Sequence, residues 1–497
     1  MIGIFDDSYR QVVPRWLSYK SACMLGLLQS IKKSANNILS NRSFIKAESE
    51  WGNNHNLFTA IDLIGEALIL GDYNSVVSRE AAEFILSYKK SGIPFLKEIA
   101  CHYLEDVRES VQNNILNKKK DFERYQINYL RGLVREHPLN PIAWSDLSLF
   151  HAISGNKKKA RNAMMAAIRL GKENRFVLRS AARCFLHLGE PDVSIELLRK
   201  SDMCGADPWI NSAEIAIADR ISKKSFCINT AKGLLENENL TSYSKSELAA
   251  CMSTIEFKSG ATRKGKLYYK EAILDPSENA LAQIEWIRSR TNVLEDIHPP
   301  YTIPASYEAQ ARDLFRNEKY NACISAAEKW GHFQPFSSRP IILATYIASV
   351  CLDDDEKSIS IISGALPIHR QDHMVMNNYA FSLLRIGQIE NAKRVLSCIK
   401  QSISNDHEKT VILATQGLYS YRSGDFTNGE ECYRRAIRDF ERLKDFKSAA
   451  IAAYFWANEE KRIQGVHAAE RVLDAKKRIE KQNVFEFKNK VNSLLHG

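Results

Sequence analysis

Few of the signals that mark a catalyst or a membrane protein occur in these 497 residues. No apolar run reaches the roughly 18 residues that a membrane span needs. Met1 to Arg15 has no apolar core behind a basic start, so it does not read as a secretory leader. The ten cysteines are scattered and form no CxxC pair, which argues against a structural zinc site or a disulfide framework. They read as reduced core residues of a soluble, cytoplasmic protein. Only 13 prolines interrupt the chain, so long helices are allowed. No HExxH, no paired-carboxylate motif and no nucleophile with a recognisable base stands out, and the expectation is no catalytic role, no cofactor and no bound metal.

Two segments imitate site motifs. Gly260 to Lys266 reads GATRKGK, the spacing of a phosphate-binding loop. Leu267 stands where a metal-binding Ser or Thr belongs, and a helix rather than a strand precedes it, so it reads as a basic turn. His369 and His373 have the i, i+4 spacing of two metal ligands, with Asp372 between them. Pro367 lies just before them and puts the pair at a junction into a helix instead of on one helical face.

What the chain does have is a period. Gly155 and Gly189 lie 34 residues apart, each between two apolar helical stretches. The series continues at Gly260 and resumes at Asn317, Asp354, Gly387 and Gly424, with Arg220 to Lys224 standing where a turn glycine is due. Self-similarity at this length means stacked helical hairpins. The clearest unit is LATQGLYSYRSGDFTNGEECYRRAI, residues 413–437. In it Gly417 sits mid-helix, where a close backbone approach must offset its cost of roughly 1 kcal/mol against alanine.

The unit resembles the tetratricopeptide repeat family through Leu413, Gly417, Gly424, Gly429, Tyr433 and Ala436. Trp144, Leu147, Gly155, Ala160 and Ala167 carry the same resemblance in 141–174, and Tyr379, Ala380, Gly387, Ala392 and Ile399 carry it in 376–399. The resemblance implies an all-α, tetratricopeptide-like α-solenoid whose concave groove binds protein segments. Its expected parts are a weakly patterned helical region (1–125), a first array (126–290), a proline-containing hinge (291–304), a second array (305–460) and a C-terminal capping helix (461–497). Residues 16–31 are expected to be a helix apolar over much of its circumference, buried against the array or a partner. A hairpin is expected around Gly71-Asp72, and 466–495 reads as one long amphipathic helix.

By that resemblance Asn377, Phe381 and Arg385 in one repeat, and Leu418, Tyr421 and Arg422 in the next, face the groove. A guanidinium pair beside an aromatic wall suits a carboxylate or an acidic, extended peptide. The formal net charge of +10 opens a second class of partner. Lys157, Lys158 and Lys159, and Arg263, Lys264 and Lys266, cluster at inter-helix turns where they can meet phosphates or an acidic protein. Lys118 to Lys120 and Arg434, Arg435 and Arg438 form further basic clusters. The expectation is therefore a non-catalytic scaffold or adaptor. The alternatives are a regulatory or sensor subunit of a multi-protein enzyme, as in a bacterial defence or stress system, and a helical-repeat nucleic-acid binder.

Overall fold

The computed structural model describes residues 13–19, 36–70, 75–88, 115–288, 305–399 and 405–496, with residues 97, 100, 104 and 303. Among these, every regular element is helical. The turn expected at Gly71-Asp72 and the side chains of Lys118 to Lys120 lie outside what is described, as does nearly all of the expected hinge.

Three helices, α1 (Asn36–Asn53), α2 (Leu57–Leu70) and α3 (Val76–Ser87), pack around Trp51, Leu63 and Ile85 as a separate small core. After α4 (Ile115–Glu136) the chain runs in hairpins. These are α5 (Pro141–Ile153) with α6 (Lys157–Leu170), α7 (Arg175–Leu188) with α8 (Pro191–Arg199), α9 (Pro208–Arg220) with α10 (Ile228–Glu236), and α11 (Ser242–Lys258) with α12 (Thr262–Leu274). The single helix α13 (Glu278–Arg288) follows. The second series pairs α14 (Tyr307–Arg316) with α15 (Tyr320–Phe333), α16 (Arg339–Tyr346) with α17 (Asp355–His369), and α18 (His373–Arg385) with α19 (Ile389–Ser397). It ends with α20 (Asp406–Ser423) and α21 (Phe426–Arg442), α22 (Phe446–Arg462) and α23 (Ala468–Lys481), and finally α24 (Lys488–His496). First helices of successive hairpins touch one another, as α7 touches α5 and α9, and so form a continuous inner layer.

Local chemistry starts the helices. Asn140, Asn156, Asn174, Asp207, Asp354, Asp372, Asn405, Asp425 and Asp445 each accept from backbone N–H groups of the first turn that they precede. Pro141, Pro191 and Pro208 occupy first-turn positions where no N–H is needed. Each hairpin turn needs one left-handed residue. Gly155, Gly189, Gly260, Gly387 and Gly424 supply it, as the period predicts. Ser222, Glu318, Asp353 and Gln464 take the same conformation in the other units. The turns expected at Asn317 and Asp354 thus place their left-handed residue one position away, and the degenerate unit turns at Ser222.

Small residues tie the two helices of a hairpin together. The hydroxyl of Ser148 donates to the Ala160 carbonyl at 2.7 Å, Ser194 to Ala182 at 2.7 Å and Ser253 to Gly265 at 2.9 Å, and the Cys323 thiol donates to Ala311 at 3.0 Å. All four pairs are twelve residues apart and straddle the turn in the same register. Gly417 and Gly429 hold this register in the 413–437 unit. A Cβ on Gly417 would sit 2.9 Å from the Tyr433 ring, and one on Gly429 would sit 2.5 Å from the Tyr421 ring. The close approach expected at Gly417 is therefore real.

Two elements differ from expectation. Of the helix expected over 16–31, residues 16–18 have no regular structure, Tyr19 is helical and 20–31 lie outside the described residues, while Trp16 and Leu17 are buried as foreseen. The long helix expected over 466–495 is two helices, because Asn483 turns left-handed and Val484 and Phe487 dive into the core.

Candidate functional site

The expected groove of the second array is filled. Asn377, Phe381, Leu418 and Tyr421 are at most 2% exposed. Phe381 meets the edge of Phe455 at 5.0 Å, and Phe455 in turn meets Phe487 at 5.7 Å. Residues 484–496 lie along this inner face. Phe485 packs on Phe315 and Phe487 on Tyr454, while the Glu486 carboxylate accepts from the Tyr346 hydroxyl and pairs with Lys447 at 3.0 Å. The two groove arginines are also committed. Arg385 binds Asp355 at 2.7 Å and Asp353 at 2.9 Å, and Arg422 binds Glu459 at 2.6 Å. The expectation that these six residues form an open site for an acidic peptide is therefore corrected: four belong to the core, and two neutralise carboxylates of their own array.

The basic turns stand where the sequence puts them. Lys157, Lys158 and Lys159 are exposed on the first turn of α6, and Arg263, Lys264 and Lys266 on the first turn of α12. Lys159 also borders a shallow hollow with Ile127, Arg131, His151, Ser154 and Asn156. Arg434 is held by Glu430 and Glu431. In GATRKGK, Gly260 makes the hairpin turn, and Gly265 lies under the Phe257 ring. His369 ends α17 with its Nε2 at 3.0 Å from the Pro335 carbonyl, whereas His373 begins α18, so the two do not share a face. No cluster of three or more metal-ligating side chains occurs among the described residues. Burial pushes the Cys184 and Cys323 thiols up to about 12, leaving no thiolate at neutral pH.

The site that sequence reasoning missed lies where the first array meets the start of the second, and residues 13–18, which have no regular structure, cross the inner face there with Tyr19. Val13 packs against two cores, one where the second hairpin meets the third and one where the third meets the fourth. Arg15 reaches the start of α13 and of α14, donating to Glu278 at 2.9 Å and Glu308 at 2.8 Å, with Gln334 alongside. Trp16 is 1% exposed, tilted against Phe336 at 5.4 Å and His187 at 6.5 Å. Tyr19 meets the edge of Phe176 at 5.4 Å, and its N–H donates to Asp146 at 2.9 Å. Every one of these elements belongs to the inner layer or to the loop after α15.

Burial would raise the Glu308 carboxyl, but Arg339, Arg15 and Arg312 overcome it and hold the group well below the usual carboxylate range. Glu278 stays raised by burial, with Arg15 as its one cation among the described residues. Arg183 stacks over Phe336 at 5.0 Å and pairs with no carboxylate among the described residues. Burial and then its neighbours Arg220, Arg339 and Arg15 pull its guanidinium down to about 9. Burial and Arg183 keep His187 neutral, with its pKa lowered to about 3.

Burial also pushes the Asp146 carboxyl up to about 7, the Tyr19 N–H only partly offsetting it. Its folded value lies above the unfolded one. The group therefore contributes nothing below about pH 4 and destabilises progressively as pH rises towards 7. Asp146→Asn should accordingly stabilise the chain by about 1–2 kcal/mol at pH 8, after discounting for its partial exposure, and should change little at pH 4. Melting curves at the two pH values check this.

Stacked hairpins, left-handed turn residues in register and small pairs across each turn now decide the architecture. The fold is a tetratricopeptide-like α-solenoid. No family model matches the sequence, and no curated protein matches it. Among solved structures, the tetratricopeptide-like chain is similar to the APC/C hetero-tetramer Cut9-Hcn1 at 12% identity, covering 92% of this chain and 93% of that one with a TM-score of 0.37. It is similar to yeast Tom70 at 13% identity, covering 75% and 94% with a TM-score of 0.33. A human IFIT1 dimer with PPP-AAAA matches at 11% identity, covering 90% and 95% with a TM-score of 0.36. These similarities are too distant to transfer a function. No described helix is long and apolar enough to cross a membrane.

Proposed function

We propose that the chain is a non-catalytic protein-binding scaffold whose first array holds an extended segment of a partner protein along its inner helices. One observation carries this reading: residues 13–19 are bound there as a peptide is bound. Residues 13–18 have no regular structure, and the segment is anchored by a charge-assisted arginine fork, an indole packed against Phe336 and a main-chain bond. A surface preorganised on helices loses little freedom on binding, which favours affinity. The exposed basic turns support long-range attraction of an acidic partner surface at low salt. Whether the scaffold serves a partner enzyme as its regulatory subunit depends on what that partner does.

The test is a photo-crosslinking amino acid placed at Arg183 on the inner face and, separately, at Lys264 on an outer turn, in the native host with nuclease treatment. A discrete adduct between two proteins from position 183, absent from position 264, is expected. Adducts to nucleic acid from 264, with none from 183, would replace the scaffold reading by nucleic-acid binding through the turns.

A further inference from the structure

The occupant of the first groove is not its best occupant. Among the described residues, the buried Trp16 Nε1 donates to nothing, and Glu278 Oε1, also buried, accepts from nothing. Each such group loses its hydrogen bonds to water on burial and regains none from the protein. Arg183 lies against the same Phe336 ring as Trp16, yet residues 13–19, VPRWLSY, carry no acid to meet it. The segment thus supplies the arginine and the aromatic that the site is shaped for, and leaves three polar groups beside them unanswered.

We propose that residues 13–19 are a tethered occupant of a ligand groove. Its partner ligand is an extended segment with an arginine followed by a bulky aromatic and a nearby carboxylate, which displaces the chain's own copy. The inference deepens the scaffold reading and rests on it. The arginine enters the Glu278–Glu308 pair, the aromatic replaces Trp16 against Phe336 and His187, and the carboxylate meets Arg183. A phenylalanine or tyrosine at the aromatic position avoids the unsatisfied indole N–H. The tether gives the internal segment an effective concentration that a partner must overcome, so binding is tight only for a segment that satisfies what VPRWLSY leaves open.

Fluorescence anisotropy of labelled VPRWLSY and of labelled peptides carrying a glutamate at each position after the aromatic tests this on the full chain. In a chain with Arg15→Gln and Trp16→Ala the groove is vacated. The VPRWLSY peptide should bind it at least 10-fold more tightly than it binds the unaltered chain, and at least one glutamate peptide should bind more tightly still. Glu278→Gln added to the vacated chain should weaken all peptides at least 10-fold, and Arg183→Gln should erase the advantage of the glutamate peptide alone. Circular dichroism melts accompany each variant. Equal binding to the vacated and unaltered chains would overturn the tethered-occupant proposal while leaving a peptide groove in place. If the vacated chain loses its cooperative melt, Trp16→Ala alone decides, since it loosens the chain's own segment and leaves the Glu278–Glu308 pair intact for the peptide. Peptide entry into this variant above the unaltered level supports the proposal, and none overturns it. No peptide binding to the folded vacated chain would overturn the ligand chemistry. A crosslinked protein partner at position 183 would then still uphold the scaffold.

Discussion

Glu308→Ala is expected to destabilise the chain by about 3–5 kcal/mol, the cost of stranding buried charge without its partner. The carboxylate is 2% exposed and is shared by Arg15 at 2.8 Å, Arg339 at 2.8 Å and Arg312 at 3.0 Å. Removing it leaves three guanidinium groups facing one another around an empty site, with Glu278 bound to only one of them. Chemical denaturation at pH 7 measures the loss. The pH dependence has a definite sign. Because the folded carboxyl is held below its ordinary value, its stabilisation is fully present above about pH 4.5 and fades as pH falls below that. The stability difference between variant and parent should therefore begin to shrink as pH falls below about 4.5 and keep shrinking down to pH 3. A parallel pair of curves from pH 7 to pH 3 would show that Glu308 is not the hub of this cluster.

Gly429→Val should cost about 3 kcal/mol, and Gly429→Ala about 2 kcal/mol, through overpacking. The new Cβ falls 2.5 Å from the Tyr421 ring, and that ring has nowhere to go. Its hydroxyl donates to the Glu460 carboxylate and accepts from the Trp456 indole, and the side chain is 1% exposed. Gly417→Ala meets the Tyr433 ring at 2.9 Å and should cost less. Gly233, in α10 with nothing within 4 Å of its missing Cβ, is the control. There alanine should be neutral or stabilise by up to about 1 kcal/mol, through its better helix propensity. Thermal melts of the alanine variants should rank in that order. A Gly429→Ala chain as stable as its parent would mean that the two helices do not meet at this pair.

The hairpins were legible because the features that make them are local. A turn glycine, an Asn or Asp cap and a small residue on each side of the turn lie within about twenty residues of one another. The degenerate unit keeps only part of this rule, with Ser222 as the turn and Cys227 as the small residue after it, while Ile215 stands before the turn and no Asn or Asp caps the second helix. Serine and cysteine did not announce themselves as glycine does. The groove was not legible, for the opposite reason. Repeat register puts Phe381 and Tyr421 on the inner helices, but Phe455 and the segment around Phe487, far along the chain, decide that this face is shut. Arg15 is a single basic residue in an apolar stretch, and no pattern links it to glutamates 263 and 293 residues away. The sole hint in the sequence was that 16–31 was too apolar to stand in water.

Those separations set a clock during synthesis. At about 5–20 residues per second, the ribosome needs roughly 15–60 s after making Arg15 to complete Glu308. Throughout that interval the hairpins of the first array emerge one after another, while the segment destined to cover them has no acidic pair to hold it. If residues 13–19 are the displaceable occupant proposed above, a partner that meets the nascent chain finds no anchored segment in its way, and one that meets the finished chain must evict it. Assembly on the ribosome and assembly afterwards are thereby different reactions of the same surface.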